Sequence, residues 1–374
     1  MHHSKRKKML FIAPSPMYVE KGSSLRMFAI LKILATEYDI DLVTYSTGNP
    51  FQLEHVTVHR TPRFFQPDLA IGKISIAKLI FDFLMYLKIV WLSMRHTYDV
   101  VHCEDFEGVA LGYFSAWFNK RSAFVYDLHN RILDNLHLKT KPNKILDTIL
   151  LFLERRFVNK SSQIILNWKK YESDVLLTSR PSFLYYDPID DAMMVTDIPP
   201  QPYLIYAGNF ETYQGLTDFI PVFAKTKTKY ALCLVGTVTH AVTACIAEHN
   251  CEDRVYVLGR KTVPETNHLI QHALCGILPR REGSCMKAIH YAMWHKAVIA
   301  NDTASNREIV IDGHNGYLYD SPEALRAILE NIEKNPQALE HLTDGVQQTA
   351  DLIANIWDTK SFLERYIPCN ADSK

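Results

Sequence analysis

Short apolar runs rich in β-branched and aromatic residues alternate with helical patterns along the whole chain, and the alternation restarts once. In the first half the runs fall at residues 9–13, 41–45, 56–59, 100–103, 123–126 and 163–166, with helical stretches at 24–37, 76–95, 106–118 and 144–158 between them. A breaker-rich stretch follows, from Asp187-Pro188 through Pro199-Pro200 to Pro202. The rhythm then resumes with runs at 203–207, 231–235, 254–258, 276–278 and 297–300 and helices at 216–225, 242–249, 265–273 and 286–294. The runs are apolar throughout rather than alternating, as strands of a parallel sheet covered on both faces must be. Strand–helix alternation of this kind implies βαβ units and doubly wound sheets. At 374 residues the chain exceeds one ordinary core, so the expectation is α/β with two Rossmann-like domains facing each other across a cleft. The first domain is set at 1–187, a linker at 188–201, and the second domain at 202–350.

Composition narrows the class. An apolar share of 47% with 22% charged residues describes a globular chain, not a disordered one. Seven cysteines without a CxxC pair argue against a disulfide framework or zinc ribbon, which points to a reducing, cytoplasmic compartment. The apolar run after the basic start is too short for a secretory signal, and residues 79–94 carry Asp82 and Lys88, unlike a bilayer span. Net charge is zero but unevenly spread: 25 basic against 17 acidic residues through Arg180, then 16 against 24. A basic first half suits peripheral contact with an anionic leaflet; it equally suits attraction between domains or a solvated surface. Basic residues are not clustered with aromatics, so no nucleic acid partner is expected. Asp39-Ile-Asp41 straddles a buried strand and reads as structural. His268 and His272 share a helix face without an evident third ligand, so no metal is expected there.

In doubly wound sheets ligands bind where strands give way to helices. The most informative such turn is Leu278-Pro-Arg-Arg-Glu-Gly-Ser-Cys-Met-Lys287, running into a helix that carries His290. Exposed amides at a helix start seat phosphates, and Glu282 can accept from sugar hydroxyls. A helix-start carboxylate stabilised by the dipole, and an ordinary half-buried helix histidine, would leave the same residues there. A second turn is Tyr206-Ala-Gly208-Asn209-Phe-Glu-Thr-Tyr-Gln214-Gly215, and smaller ones are Leu234-Val-Gly236 and Val257-Leu-Gly-Arg260-Lys261.

The segment from Glu282-Gly283 through His290-Tyr291 and Ala297–Ala300 to Asn306-Arg-Glu-Ile-Val-Ile-Asp-Gly-His-Asn-Gly316 resembles the signature of the family-4 glycosyltransferases of the GT-B fold. In that family a second Glu, eight positions after the first, holds the ribose; here that place is His290, which can still bond a hydroxyl. Basic residues on the turn after the first donor-domain strand neutralise the diphosphate; here Asn209 and Gln214 stand in their places, and Arg280, Arg281 or Lys287 are the charges at hand. The resemblance implies a retaining, metal-independent transfer from a nucleotide-sugar to a hydroxyl acceptor on a glycan, lipid or small molecule. Glu282 and His129, the latter in Asp127-Leu-His129-Asn after a buried strand, are the implied catalytic pair. Gly22, Gly208, Asn209, Gln214, Gly215, Gly236, Arg260, Arg281, Gly283, Ser284, Cys285, Met286, Lys287 and His290 are the implied donor-binding set. Arg26, Glu104 and Asp105 are expected near the acceptor, and an aromatic C-terminal helix at 351–368 is expected to cross back to the first domain. Two other readings fit the departures: a GT-B protein that has lost catalysis and serves as a binding subunit, and a nucleotide-sugar epimerase.

Overall fold

In the computed structural model the chain divides into two units, Met1–Pro188 with Ile356–Lys374, and Ile189–Asn355. The structure describes residues 6–17, 22–62, 76–113, 115–118, 121–137, 142–189, 191–281, 286–335 and 337–366.

The first unit holds seven parallel strands: β1 (Lys7–Ala13), β2 (Tyr38–Thr44), β3 (Val56–Arg60), β4 (Val100–Glu104), β5 (Ala123–Leu128), β6 (Gln163–Leu166) and β7 (Ser182–Leu184), in the order β3-β2-β1-β4-β5-β6-β7. The second holds six: β8 (Tyr203–Ala207), β9 (Ala231–Val235), β10 (Val255–Gly259), β11 (Cys275–Leu278), β12 (Val298–Asn301) and β13 (Gly316–Tyr319), in the order β10-β9-β8-β11-β12-β13. Each chain path starts at the centre of its sheet, builds outward, then returns to the other side of its first strand. The reversals at β1/β4 and β8/β11 are the topological switch points, where helices leave on opposite faces and a crevice opens. Central strands are sealed on both faces, which is why Met9–Ala13 and Ala231–Leu234 contain no polar residue and are fully buried.

The expected α/β class with two doubly wound parallel sheets is what the chain forms. Two short strands, β7 and β13, join the edges beyond those read from sequence, and the helix expected over 106–118 is two pieces, Asp105–Gly112 and Ser115–Phe118. Residues 191–201 do not stand apart as a linker: Met194 donates its amide to Pro264 O at 3.1 Å, and Asn267 Nδ2 donates to Ala192 O at 2.7 Å. Asp41 accepts from Tyr98 at 2.8 Å and bonds His59 at 2.7 Å, tying β2 to its neighbours.

The helix Thr359–Arg365 belongs to the first unit. Its Phe362 is fully buried among Phe183, Tyr185 and Tyr366, with ring centroids 5.5, 4.7 and 5.5 Å away. Truncating it leaves a cavity in a tight aromatic cluster. Phe362→Ala is therefore expected to cost about 3–5 kcal/mol, read as a lowered urea midpoint for the first unit's transition.

Candidate functional site

At the β8/β11 switch point of the second unit the candidate residues converge. β8 ends at Ala207 and the chain turns at Gly208, whose φ is 151°. A Cβ there would lie 2.6 Å from Lys287 Nζ, so the turn and the lysine occupy adjoining space that only glycine leaves open. Gly236, after β9, lies with its Cα against the Gly208 carbonyl, and a side chain there would overlap it. Gly215 has φ 73°, caps the helix Leu216–Lys225 and lies against the Pro279 carbonyl just beyond β11. No side chain caps that helix start, so its first amides direct their partial positive charge outward.

Lys287, in the first turn of the helix Met286–Met293, ties these turns together. Its Nζ donates to Tyr206 Oη at 2.6 Å and to Gln214 Oε1 at 2.8 Å, and sits 4.4 Å from the Tyr206 ring centroid. Burial, and next the nearby Arg280 guanidinium, pull its pKa from 10.5 down to about 7. No carboxylate neutralises it among the described residues. A desolvated ammonium against two glycine turns and an uncapped helix start has the chemistry to receive an anion, which would restore its full charge.

Other expected residues vary in placement. Gln214 is buried and holds Lys287 in place rather than facing outward. Asn209 is exposed, its Nδ2 donating to Tyr213 Oη at 3.2 Å. Arg281 pairs at the surface with Asp218 at 3.2 Å, and Arg260 is exposed just past β10. Met286 opens its helix, and Gly22 opens the helix Gly22–Leu34 of the first unit. Glu282, Gly283, Ser284 and Cys285 lie outside the described residues.

His290 is neutral, its pKa lowered to about 4 by burial. Its Nε2 lies 2.8 Å from Asn267 Oδ1, while Asn267 Nδ2 is committed to Ala192 O. The amide's orientation therefore assigns the proton to Nε2, leaving Nδ1 as an acceptor of a hydroxyl proton. A carboxylate would accept in the same sense. Asn267 was invisible to sequence reasoning, since a lone helix asparagine 23 positions away carries no signal.

In the first unit, His129 follows β5 and bonds Glu104 Oε2 through Nε2 at 2.9 Å. Burial opposes its charging, but the Glu104 contact outweighs this and raises its pKa to about 9. Asp105 stands in left-handed conformation with φ 57°, and burial lifts its pKa to about 6. Arg26 and Glu104, both expected near the acceptor, are buried. Arg26 is wholly buried, donating to Asp127 Oδ1 at 2.6 Å and to Tyr185 O, with Asp187 at 3.6 Å. Glu104 is only 2% exposed and lies between His102 and His129. Both side chains are spent on buried partners, Arg26 on Asp127 and Glu104 on His129. Charged residues normally read as surface, and the partners that bury these are scattered along the chain.

Residues 193–349 match the family model described as glycosyl transferases group 1. By structure the chain is similar to sucrose-phosphate synthase from Thermosynechococcus elongatus, with a TM-score of 0.75 at 17% identity over 96% of this chain and 98% of the other. It is also similar to HepE of Anabaena in complex with UDP and glucose, with a TM-score of 0.68 at 16% identity over 96% and 98%. A glycosyltransferase from Rickettsia africae gives 0.67 at 13% identity over 99% and 100%. No curated protein matches the sequence. The fold is that of the GT-B glycosyltransferases.

The Lys287 geometry has a titration consequence. Its pKa of about 7 must rise when an anion binds, so binding takes up a proton above that pH and weakens as pH increases. Pyrophosphate affinity is expected to fall between pH 7 and 9, by at most about tenfold per unit. Calorimetry across that range checks it, and Lys287→Met removes both the slope and most of the affinity.

Proposed function

We propose that this chain is a retaining glycosyltransferase of the family-4 type that moves a sugar from a nucleotide-sugar to a hydroxyl acceptor. The observation that carries the reading is the Lys287 ammonium held between the Gly208 and Gly215 turns at the switch point of the second unit. There the diphosphate of the donor accepts from Lys287 and from helix-start amides, so charge on the leaving group is balanced by the chain itself and no metal is called for. His290 Nδ1 accepts from a ribose hydroxyl. Glu282 and His129 orient the transferred sugar, with His129 held by Glu104. In a front-face transfer the acceptor oxygen bonds to the anomeric carbon as the bond to the phosphate oxygen breaks, and that phosphate oxygen takes the acceptor proton. HepE is captured with UDP-glucose, so a uridine donor is the first to test.

The uncharged Asn209 and Gln214 favour a second reading, a binding subunit without catalysis. A panel of nucleotide-sugars separates the two. Nucleotide release with slow donor hydrolysis supports the enzyme, binding without release supports the subunit, and sugar isomerisation without acceptor marks an epimerase. Asn267→Ala frees the His290 ring. It is expected to weaken UDP binding about 5–10-fold, equivalent to roughly 1–1.4 kcal/mol, with pyrophosphate affinity unchanged. Equal loss for both ligands would remove His290 from the ribose.

Peripheral association with an anionic membrane in the cytoplasm completes the proposal. Among the described residues no helix is long and apolar enough to cross a bilayer. The helix Ile76–Arg95 nonetheless exposes Leu79, Phe83, Leu87 and Met94, with Lys88 and Arg95 against Trp91 at 4.3 and 4.2 Å. The helix Lys144–Lys160 exposes Ile145, Ile149 and Phe152. Apolar side chains flanked by cations suit a leaflet interface and a lipid-linked acceptor. Phe83→Ser with Phe152→Ser is expected to cut cosedimentation with phosphatidylglycerol vesicles at least fivefold while leaving UDP affinity unchanged.

A further inference from the structure

The carboxyl ends of β4 and β5 carry an arrangement that the proposed transfer draws on only through the Glu104–His129 bond. His102 and Glu104 are two apart on β4, so their side chains leave the same face of the sheet. Glu104 pairs in register with Asp127 on β5, which brings a third side chain to that face. His102 Nε2, Glu104 Oε1 and Asp127 Oδ2 lie within 4.8 Å of one another. The nitrogen is 3.4 Å from the glutamate oxygen and 3.9 Å from the aspartate oxygen.

Each of the three residues is anchored through its other polar atom. His102 Nδ1 is held by Tyr366 Oη at 2.8 Å, Glu104 Oε2 by His129 at 2.9 Å, and Asp127 Oδ1 by Arg26 at 2.6 Å. The three inward atoms are wholly buried, and among the described residues none has a well-aligned hydrogen-bond partner beyond the long His102–Glu104 contact. The residues themselves are at most 2% exposed. Leaving such atoms unmatched costs about 1–3 kcal/mol each. Ligands fixed by outer partners and converging on one point are the pattern of a metal centre.

We propose that His102, Glu104 and Asp127 bind one divalent transition-metal ion, zinc by preference, at a structural site inside the first unit. One imidazole nitrogen with two carboxylate oxygens suits zinc or manganese better than calcium, which wants six or more oxygens. Separations of 3.4–3.9 Å are close to those around an ion bonded at about 2.0–2.2 Å. With Nε2 given to the ion, the imidazole proton resides on Nδ1 and is donated to Tyr366 Oη, which fastens the C-terminal helix to the centre. The site shares Glu104 with His129, so metal content reports on the ion while nucleotide affinity at Lys287 reports on the transfer site.

The test uses the full chain, stripped with chelator and dialysed, then titrated with zinc and separately with cobalt(II). Expected are one tightly held equivalent per chain by elemental analysis, visible cobalt d–d bands, and a rise in thermal midpoint on zinc addition. His102→Gln and Glu104→Gln are each expected to lose the equivalent, whereas His272→Ala, on the surface helix with a neighbouring His268, retains it. If either variant fails to fold, anomalous diffraction from zinc in the unaltered protein locates the ion. No stoichiometric uptake, or a bound ion located elsewhere, overturns the proposal and leaves a water or shared proton among these atoms. UDP affinity measured on the same stripped protein reports separately on the donor site.

Discussion

An ammonium group with no counter-ion among the described residues, pressed against two glycine turns, sets the character of the second unit. Lys287 reaches Tyr206 at the end of β8 and Gln214 before the next helix from a helix that follows β11. Segments 73 and 81 residues away from the lysine are thereby fixed at one switch point. The glycines are there for space: a methyl at 208 would crowd the ammonium, and one at 236 would overlap the Gly208 carbonyl. Burial weakens the lysine's hold on its proton, and that cost is stored until an anion offsets it.

The first unit solves a different problem, that of keeping many ionisable groups out of water. Arg26, His102, Glu104, Asp127 and His129 are all buried, and each meets an opposite or hydrogen-bonding partner. Removing one member of such a set is far more damaging than replacing the whole set by apolar groups, because the partner left behind remains dehydrated. The cluster therefore fixes geometry at the ends of β4 and β5, and His129 inherits its orientation from Glu104.

The alternation of buried runs with helices, and the restart after Asp187-Pro188, made both sheets legible in the sequence. The edge strands β7 and β13, three and four residues long, are too short to carry periodicity and take their form from pairing with a neighbour. Gly208, Gly215 and Gly236 were readable because strand-end turns restrict what fits. Lys287 was readable only as one of three possible charges, since proximity to Gln214 is a product of tertiary folding. Asn267 and the burial of Arg26 left no trace, because a hydrogen bond across 23 positions or an ion pair across 101 depends wholly on how strands are ordered.

The placement of Phe362 and Tyr366 beside β7 and His102 has a consequence for biosynthesis. Emerging from the ribosome, β1 through β7 are complete long before the helix that covers Phe183 and Tyr185 exists. The intervening unit, Ile189–Asn355, is made and can close on itself while its predecessor still waits with an aromatic face open to solvent. Domains generally fold as units during synthesis. Here the residues that complete the first unit's core are translated after the whole second unit, so that aromatic face stays uncovered until they emerge.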